Sequence, residues 1–163
     1  MKPAFKKDGT VTAGNASGIN DGAAAVVLAT GSEVEKRGLS PLAKIVAWGH
    51  AGVEPEFMGE APIKAVPIAL ERAGLTLDQM DVIEANEAFA AQAAACAKAL
   101  GFDPEKVNPN GSGVGLGHPV GATGTILTVK AAYELKRTGG KYALITMCIG
   151  GGQGIAMIIE NVE

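Results

Sequence analysis

From residue 40 onward, short apolar runs alternate with longer stretches of helical periodicity. "LAKIVAWGH" at 42–50 predicts a strand, and "KAVPIALERAG" at 64–74 predicts a helix with Gly74 as its stop. Pro67 fits that helix only if it lies in the first turn, because an interior proline removes a backbone donor. "DVIEA" at 81–85 reads as a second strand and leads into an alanine-rich helical run, 87–100, ending at Gly101. Residues 119–138 predict a long helix with Pro119 near its first turn. Ile126, Val129 and Tyr133 share one face of it, and Leu127, Ala131 and Leu135 line an adjacent one. Its full charges appear only from Lys130 to Arg137, which predicts burial on several sides. "YALITMC" and "GIAMIIE" then predict two antiparallel strands joined through "IGGGQ". Alternation of this kind specifies a layered α/β fold.

The first 39 residues follow a different pattern. "GTVTAGNASGINDG" is loop chemistry, "AAAVVLAT" reads as a buried-type strand, and a short helix is expected at 32–37. A lone strand ahead of a self-contained αβ lobe resembles the end of another unit. The expected division is therefore 1–39 and 40–163.

Composition narrows the classes without naming a function. Apolar residues make up 47% of the 163 and charged residues 19%, the balance of a globular chain. A formal charge of −3 gives no basic footprint, so nucleic acid is not an expected partner. The longest apolar run, residues 23–29, falls far short of the roughly 20 residues a membrane helix needs. The two cysteines, Cys96 and Cys148, have no zinc-like spacing and form no disulfide framework, which predicts a reducing cytoplasm and no metal.

The candidate chemistry clusters where glycine does. "VGLGHPVGATG" at 114–124 surrounds His118 with residues that have almost no side chains. A helix starting just beyond it would direct free N–H groups toward the ring and favour neutral imidazole. The other reading is a histidine satisfied inside a glycine-rich turn. Cys148 ends a strand before Ile149 and three glycines, whose N–H groups could cradle an oxyanion beside an exposed thiol. A small buried hydrophobe is the commoner fate of a free cysteine. Asn86, in "EANEAFAAQ", is first of all an ordinary helix N-cap, though its amide could hold a water or a carbonyl. The run "GSGVGLG" never completes G-x-G-x-x-G, since Leu116 or His118 stands where the last glycine belongs. A nucleotide-binding oxidoreductase fails on that point.

Taken in order, "GNASGINDGAA" (14–24), "EANEAFAAQ" (84–92), "NPNGSGVGLGHPVGATG" (108–124) and "CIGGGQG" (148–154) resemble the signatures of the thiolase family. These are the acyl-CoA C-acetyltransferases, or β-ketothiolases. The pairing of N-E-A-F with C-x-G-G-G separates them from the related ketosynthases. The resemblance implies a mixed five-stranded sheet with helices on both faces, preceded by a remnant of an N-terminal lobe. It implies reversible acyl transfer between CoA thioesters, with CoA as substrate and no separate cofactor, in a homo-oligomer.

Carried over residue by residue, the resemblance makes His118 the activator of the nucleophilic cysteine. With a water held by Asn86, His118 would also form one oxyanion hole. Cys148 becomes the catalytic acid/base, and the N–H of Gly150 contributes to a second oxyanion hole. Pantetheine contacts fall on Phe5, Ala13, Ser17, Ile19, Met58, Ala88 and Phe89. The match reaches only the later part of the family's chain. The nucleophilic cysteine and most of the adenine-binding loop are expected in a preceding lobe, which predicts an inactive chain when alone. The rival expectation is a catalytically incompetent lobe that binds CoA weakly or self-associates.

Overall fold

The computed structural model describes residues 1–162. Helix α1 (Gly31–Arg37) comes first, followed by β1 (Ala43–Gly52), α2 (Ala61–Ala73), β2 (Val82–Ala85) and α3 (Ala90–Leu100). The chain then passes through α4 (Gly113–Leu116), α5 (Thr123–Thr138), β3 (Tyr142–Gly150) and β4 (Gln153–Asn161). The sheet is mixed, in the order β1-β4-β3-β2. β4 pairs antiparallel with both β1 and β3, while β2 pairs parallel with β3.

Alternation along the strands divides the core between the two faces. Leu144 and Ile158 join Ala65, Val66 and Ala69 of α2, with Ile83 and Phe102. Their neighbours Ala143, Ile145 and Ile159 turn the other way, onto Leu127, Ala131 and Leu135 of α5. Helices therefore cover both faces, as the α/β pattern requires.

Several expectations need correction. The described residues form four strands in the sheet, not five. Where a fifth could extend the β2 edge, there is a single parallel bridge between Ile83 and Val107. Residues 23–29 form no strand and are exposed, with Val27 at 96%. A strand is held by ladder bonds, and none of the described segments offers that run a partner. Helix α2 begins at Ala61, so Pro67 stands inside it rather than in the first turn. Its side is exposed, where water can serve the Ile63 carbonyl that Pro67 cannot reach with a donor. The alanine-rich run becomes helical only at Ala90. Before that, the backbone at 88–90 is taken up by the N-terminal arm: Ser17 N–H donates to the Ala88 carbonyl at 3.0 Å, and Ala90 N–H to that of Asn15 at 2.9 Å. Helix α5 begins at Thr123, and none of its residues from Thr123 to Ala132 is exposed, so it is covered on several sides there and opens to solvent only from Tyr133. Leu127, Ala131 and Leu135 are enclosed, Ile126 and Val129 half-buried, and Tyr133 exposed.

Candidate active site

Three segments distant in sequence meet at the end of β2. The first is the continuation of that strand. Asn86 N–H donates to the Thr146 carbonyl at 2.9 Å and carries the β2–β3 ladder one residue further. Asn86 is only 2% exposed, so its side chain is held in the interior. It does not cap a helix, contrary to the ordinary reading of an asparagine here; the residue before α3 is Phe89.

The second segment is the turn carrying His118. Its ring lies with Nε2 3.4 Å from Asn86 Nδ2 and Nδ1 2.7 Å from Thr123 Oγ1. The Thr123 hydroxyl donates its single hydrogen to the Pro119 carbonyl at 2.9 Å. Nδ1 must then carry the ring proton and donate to that hydroxyl, which leaves Nε2 free as an acceptor toward the Asn86 amide. Burial lowers the pKa of His118 below its usual value, and the neutral ring follows. Among the described residues, Asn86 Oδ1 has no hydrogen-bond partner. A buried amide oxygen with spare capacity beside a basic imidazole nitrogen is equipped to hold a water or a polar substrate atom.

The third segment is the N-terminal arm. Ile19 bridges to His118 in parallel fashion, and His118 N–H donates to the Gly18 carbonyl at 2.9 Å and to Asn20 Oδ1 at 3.2 Å. The glycine before the histidine answers to this contact. Gly117 has φ +98°, and a side chain there would strike the Asn20 amide. The protein's own groups occupy the space that Gly117 leaves.

Cys148 lies near the end of β3 and is 6% exposed, not the open thiol expected at a strand terminus. β4 pairs alongside that terminus, with Cys148 opposite Gly154. Burial raises its pKa and keeps the thiol protonated at neutral pH. No side-chain hydrogen bond joins Cys148 to His118 or Asn86 among the described residues. Gly150 is the last residue of β3, opening the turn into β4. Cys96 is buried mid-helix, where its Sγ donates to the Gly59 carbonyl at 3.3 Å and accepts from Gln92.

The substrate-contact candidates are dispersed. Phe5 and Phe89 meet edge to face with ring centroids 6.0 Å apart, although Phe5 is 74% exposed. Ser17 and Ala88 are joined through their backbones, and Ile19 flanks His118 while its side chain faces outward. Ala13 is exposed in the arm, and Met58 is half-buried in the 55–60 turn. Two hollows are found in the surface. One of about 470 Å³ is lined by Ala90, Ala94, Phe102 and Val107, and bordered also by Ala85 and Glu87 on either side of Asn86. Another of about 580 Å³ is lined by Trp48, His50 and Ile155. Neither contains His118, Asn86 or Cys148.

Sequence reasoning missed Thr123, Asn20 and Asn108. Thr123 could have been found as the hydroxyl in the first turn of the helix after a histidine. Asn20 looked like ordinary loop chemistry. Asn108 has a left-handed backbone, φ 47°, and its side chain exchanges two bonds of 2.8 Å with the Ala85 backbone. That pairing is invisible before the β2 neighbour is known. Among the described residues there is no group of three or more potential metal ligands, and no helix long and apolar enough to cross a membrane.

Comparison with known proteins identifies the family and the fold. The model of the thiolase C-terminal domain matches residues 39–161, and that of the thiolase N-terminal domain matches residues 1–32. A beta-ketothiolase, BktB, from Cupriavidus necator is 66% identical over 163 residues, covering 99% of this chain and 41% of its own length. The crystal structure of human mitochondrial 3-ketoacyl-CoA thiolase superposes with a TM-score of 0.97 at 51% identity, and covers 99% of this chain and 41% of that one. A structure of the human enzyme in complex with CoA gives a TM-score of 0.93 at 48% identity, with the same coverage. The chain thus spans about two-fifths of the length of these relatives. On the family model, the identity and the superposition together, the chain belongs to the thiolase family.

Proposed function

We propose that this chain supplies the C-terminal half of a site for reversible acyl transfer between CoA thioesters. The reaction would be condensation of acyl-CoA units or CoA-dependent cleavage of a β-ketoacyl-CoA such as acetoacetyl-CoA. The observation that carries this reading is the Asn86–His118 pair, with an unprotonated, basic Nε2 beside a buried, unpartnered amide oxygen. The nucleophilic cysteine would come from the part of the relatives that lies outside the matched stretch. His118 Nε2 takes the proton from that thiol, and the thiolate attacks the thioester carbonyl. The resulting imidazolium N–H, together with a water held by Asn86, donates to the oxyanion that forms.

Cys148 serves as acid and base. Its thiol first gives its proton to the group that departs when the nucleophile is acylated, CoA thiolate in condensation or the acetyl-CoA enolate in cleavage. The thiolate left behind takes a proton from the acetyl carbon in condensation or from the CoA thiol in cleavage. Burial supports this role, since a thiolate whose pKa is raised is a stronger base than an exposed one. The Gly150 N–H faces the acyl group on the nucleophile. Pantetheine runs along Phe5, Ala13, Ser17, Ile19, Met58, Ala88 and Phe89, and the human relative in complex with CoA supports a CoA ligand. CoA enters as substrate and no further cofactor is required. A cytoplasmic setting is supported by two free cysteines, Cys96 and Cys148.

The test is a chimera in which residues 1–163 replace the matching stretch of the Cupriavidus necator relative. Its cleavage of acetoacetyl-CoA is followed by loss of enolate absorbance. We expect turnover by the chimera and none by the chain alone. A folded chimera without activity would overturn the assignment, and turnover by the isolated chain would overturn its dependence on a second lobe.

A further inference from the structure

We infer that Lys130 and Glu84 form a buried clamp that positions His118 against Asn86, a role that rests on the reading of that pair as catalytic. Glu84 lies on β2, two residues before Asn86, and its side chain is fully buried. Lys130 Nζ lies 2.7 Å from Glu84 Oε2, and the lysine side chain is itself only 17% exposed. The same ammonium also donates to the Gly111 carbonyl. One group thus ties the strand that leads into Asn86 to the turn that leads to His118. An ammonium, with three donors on one atom and a full positive charge, joins a carboxylate and a carbonyl while neutralising the carboxylate.

Placement along α5 adds the third connection. Thr123, which fixes His118 Nδ1, and Lys130 lie seven residues apart on that helix, about two turns, and so share a face. The helix therefore holds the ring at one point and the loop and strand at another. The loop has further stitches to the end of β2: Asn108 exchanges bonds with the Ala85 backbone, and Ser112 Oγ donates to the Ala85 carbonyl at 3.2 Å. Lys130 is the member of this set that carries charge into the interior. Glu84 Oε1 has no donor among the described residues, so the carboxylate depends on Lys130 alone. An ion pair buried this deeply is not explained by stability, because a well-packed apolar pair usually serves that purpose as well or better. Fixing one arrangement of strand, loop and helix does account for it.

The distinguishing experiment reads the imidazole rather than turnover. The chain has two histidines, and His50 on β1 provides an internal reference. In ¹⁵N-histidine-labelled chain, His118 is expected as a single Nδ1–H tautomer. Lys130→Met is expected to abolish that single-tautomer pattern and shift the His118 titration, leaving the His50 signals unchanged. The double variant Glu84→Gln, Lys130→Met removes the stranded charge and serves as the decisive form if the single variant does not fold. His118 nitrogen shifts and titration equal to wild type in either folded variant would overturn the inference, even if the melting temperature fell. Because no substrate is involved, failure here is separate from an inactive chimera, which would sink the acyl-transfer reading and leave the imidazole result standing.

Discussion

The roles of single residues follow from which hydrogen bonds each can make. Neutral His118 with its proton on Nδ1 is a base only at Nε2, so losing the Thr123 hydroxyl removes the tautomer and not the ring. Thr123→Val in the active chimera is expected to lower kcat by roughly 10-fold or more with little change in KM, as positional losses of a general base do. His118→Ala and Cys148→Ala are each expected to lower kcat by roughly 10²–10⁴-fold or more while the far-ultraviolet circular dichroism is unchanged. Near-normal turnover in either would remove that residue from the site. Acid affects stability here through two groups with opposite charge types but the same sign. His118 has a folded pKa below its unfolded value, so the unfolded chain binds the extra proton, and stability falls as pH drops below about 6.5. Glu134 is held down to about 2, from 4.5, by Arg137 and Asn110, so its contribution is complete above pH 4.5 and lost as pH falls toward 2. Denaturant midpoints measured between pH 8 and 3 should therefore decline in two stages. A flat profile across pH 7 to 5 would contradict burial of the imidazole. His118 was legible from its glycine setting and from the resemblance, whereas Asn86 was obscured because asparagine ahead of a helical run has a commoner explanation.

Elements were legible wherever one periodicity met no competitor. The β3–β4 hairpin and the helix stops at Gly74 and Gly101 fall where the apolar pattern and the glycines put them. Boundaries moved where tertiary partners claimed backbone groups, as the arm does at 88–90. Pro67 is the instructive error, because propensity argues against it and the helix tolerates it on an exposed side. Pro67→Ala is expected to restore a bond to the Ile63 carbonyl and stabilise the chain by about 1–3 kcal/mol. For a chain of this size that is a rise in Tm of roughly 2–4 °C per kcal/mol. A Tm that is unchanged or lower would mean that Pro67 fits without strain, or that it helps by restricting the unfolded chain.

At the scale of the whole molecule, the described surface carries apolar groups that a folded chain normally encloses. Ile19 is 93% exposed, Val27 96% and Leu28 75%, and α1 buries no residue at all. Residues 23–29 read as a strand in sequence because their composition suits a sheet interior, yet composition cannot name the strand beside them. The chain alone is expected to self-associate, with an apparent mass by light scattering that rises with concentration. A monodisperse monomer would count against that expectation. One contact described above also has a kinetic side. His118 N–H is held by Gly18 and Asn20, and Asn20 lies 98 positions away along the chain. Closing so long a loop is slow compared with local pairing, and only a few backbone bonds reward it. The arm should therefore dock last in folding and detach first, with the amides of Ser17, Ala90 and His118 exchanging with solvent well before those of β3 and β4. The lobe would then exist for part of the time as a finished scaffold with an unassembled pocket.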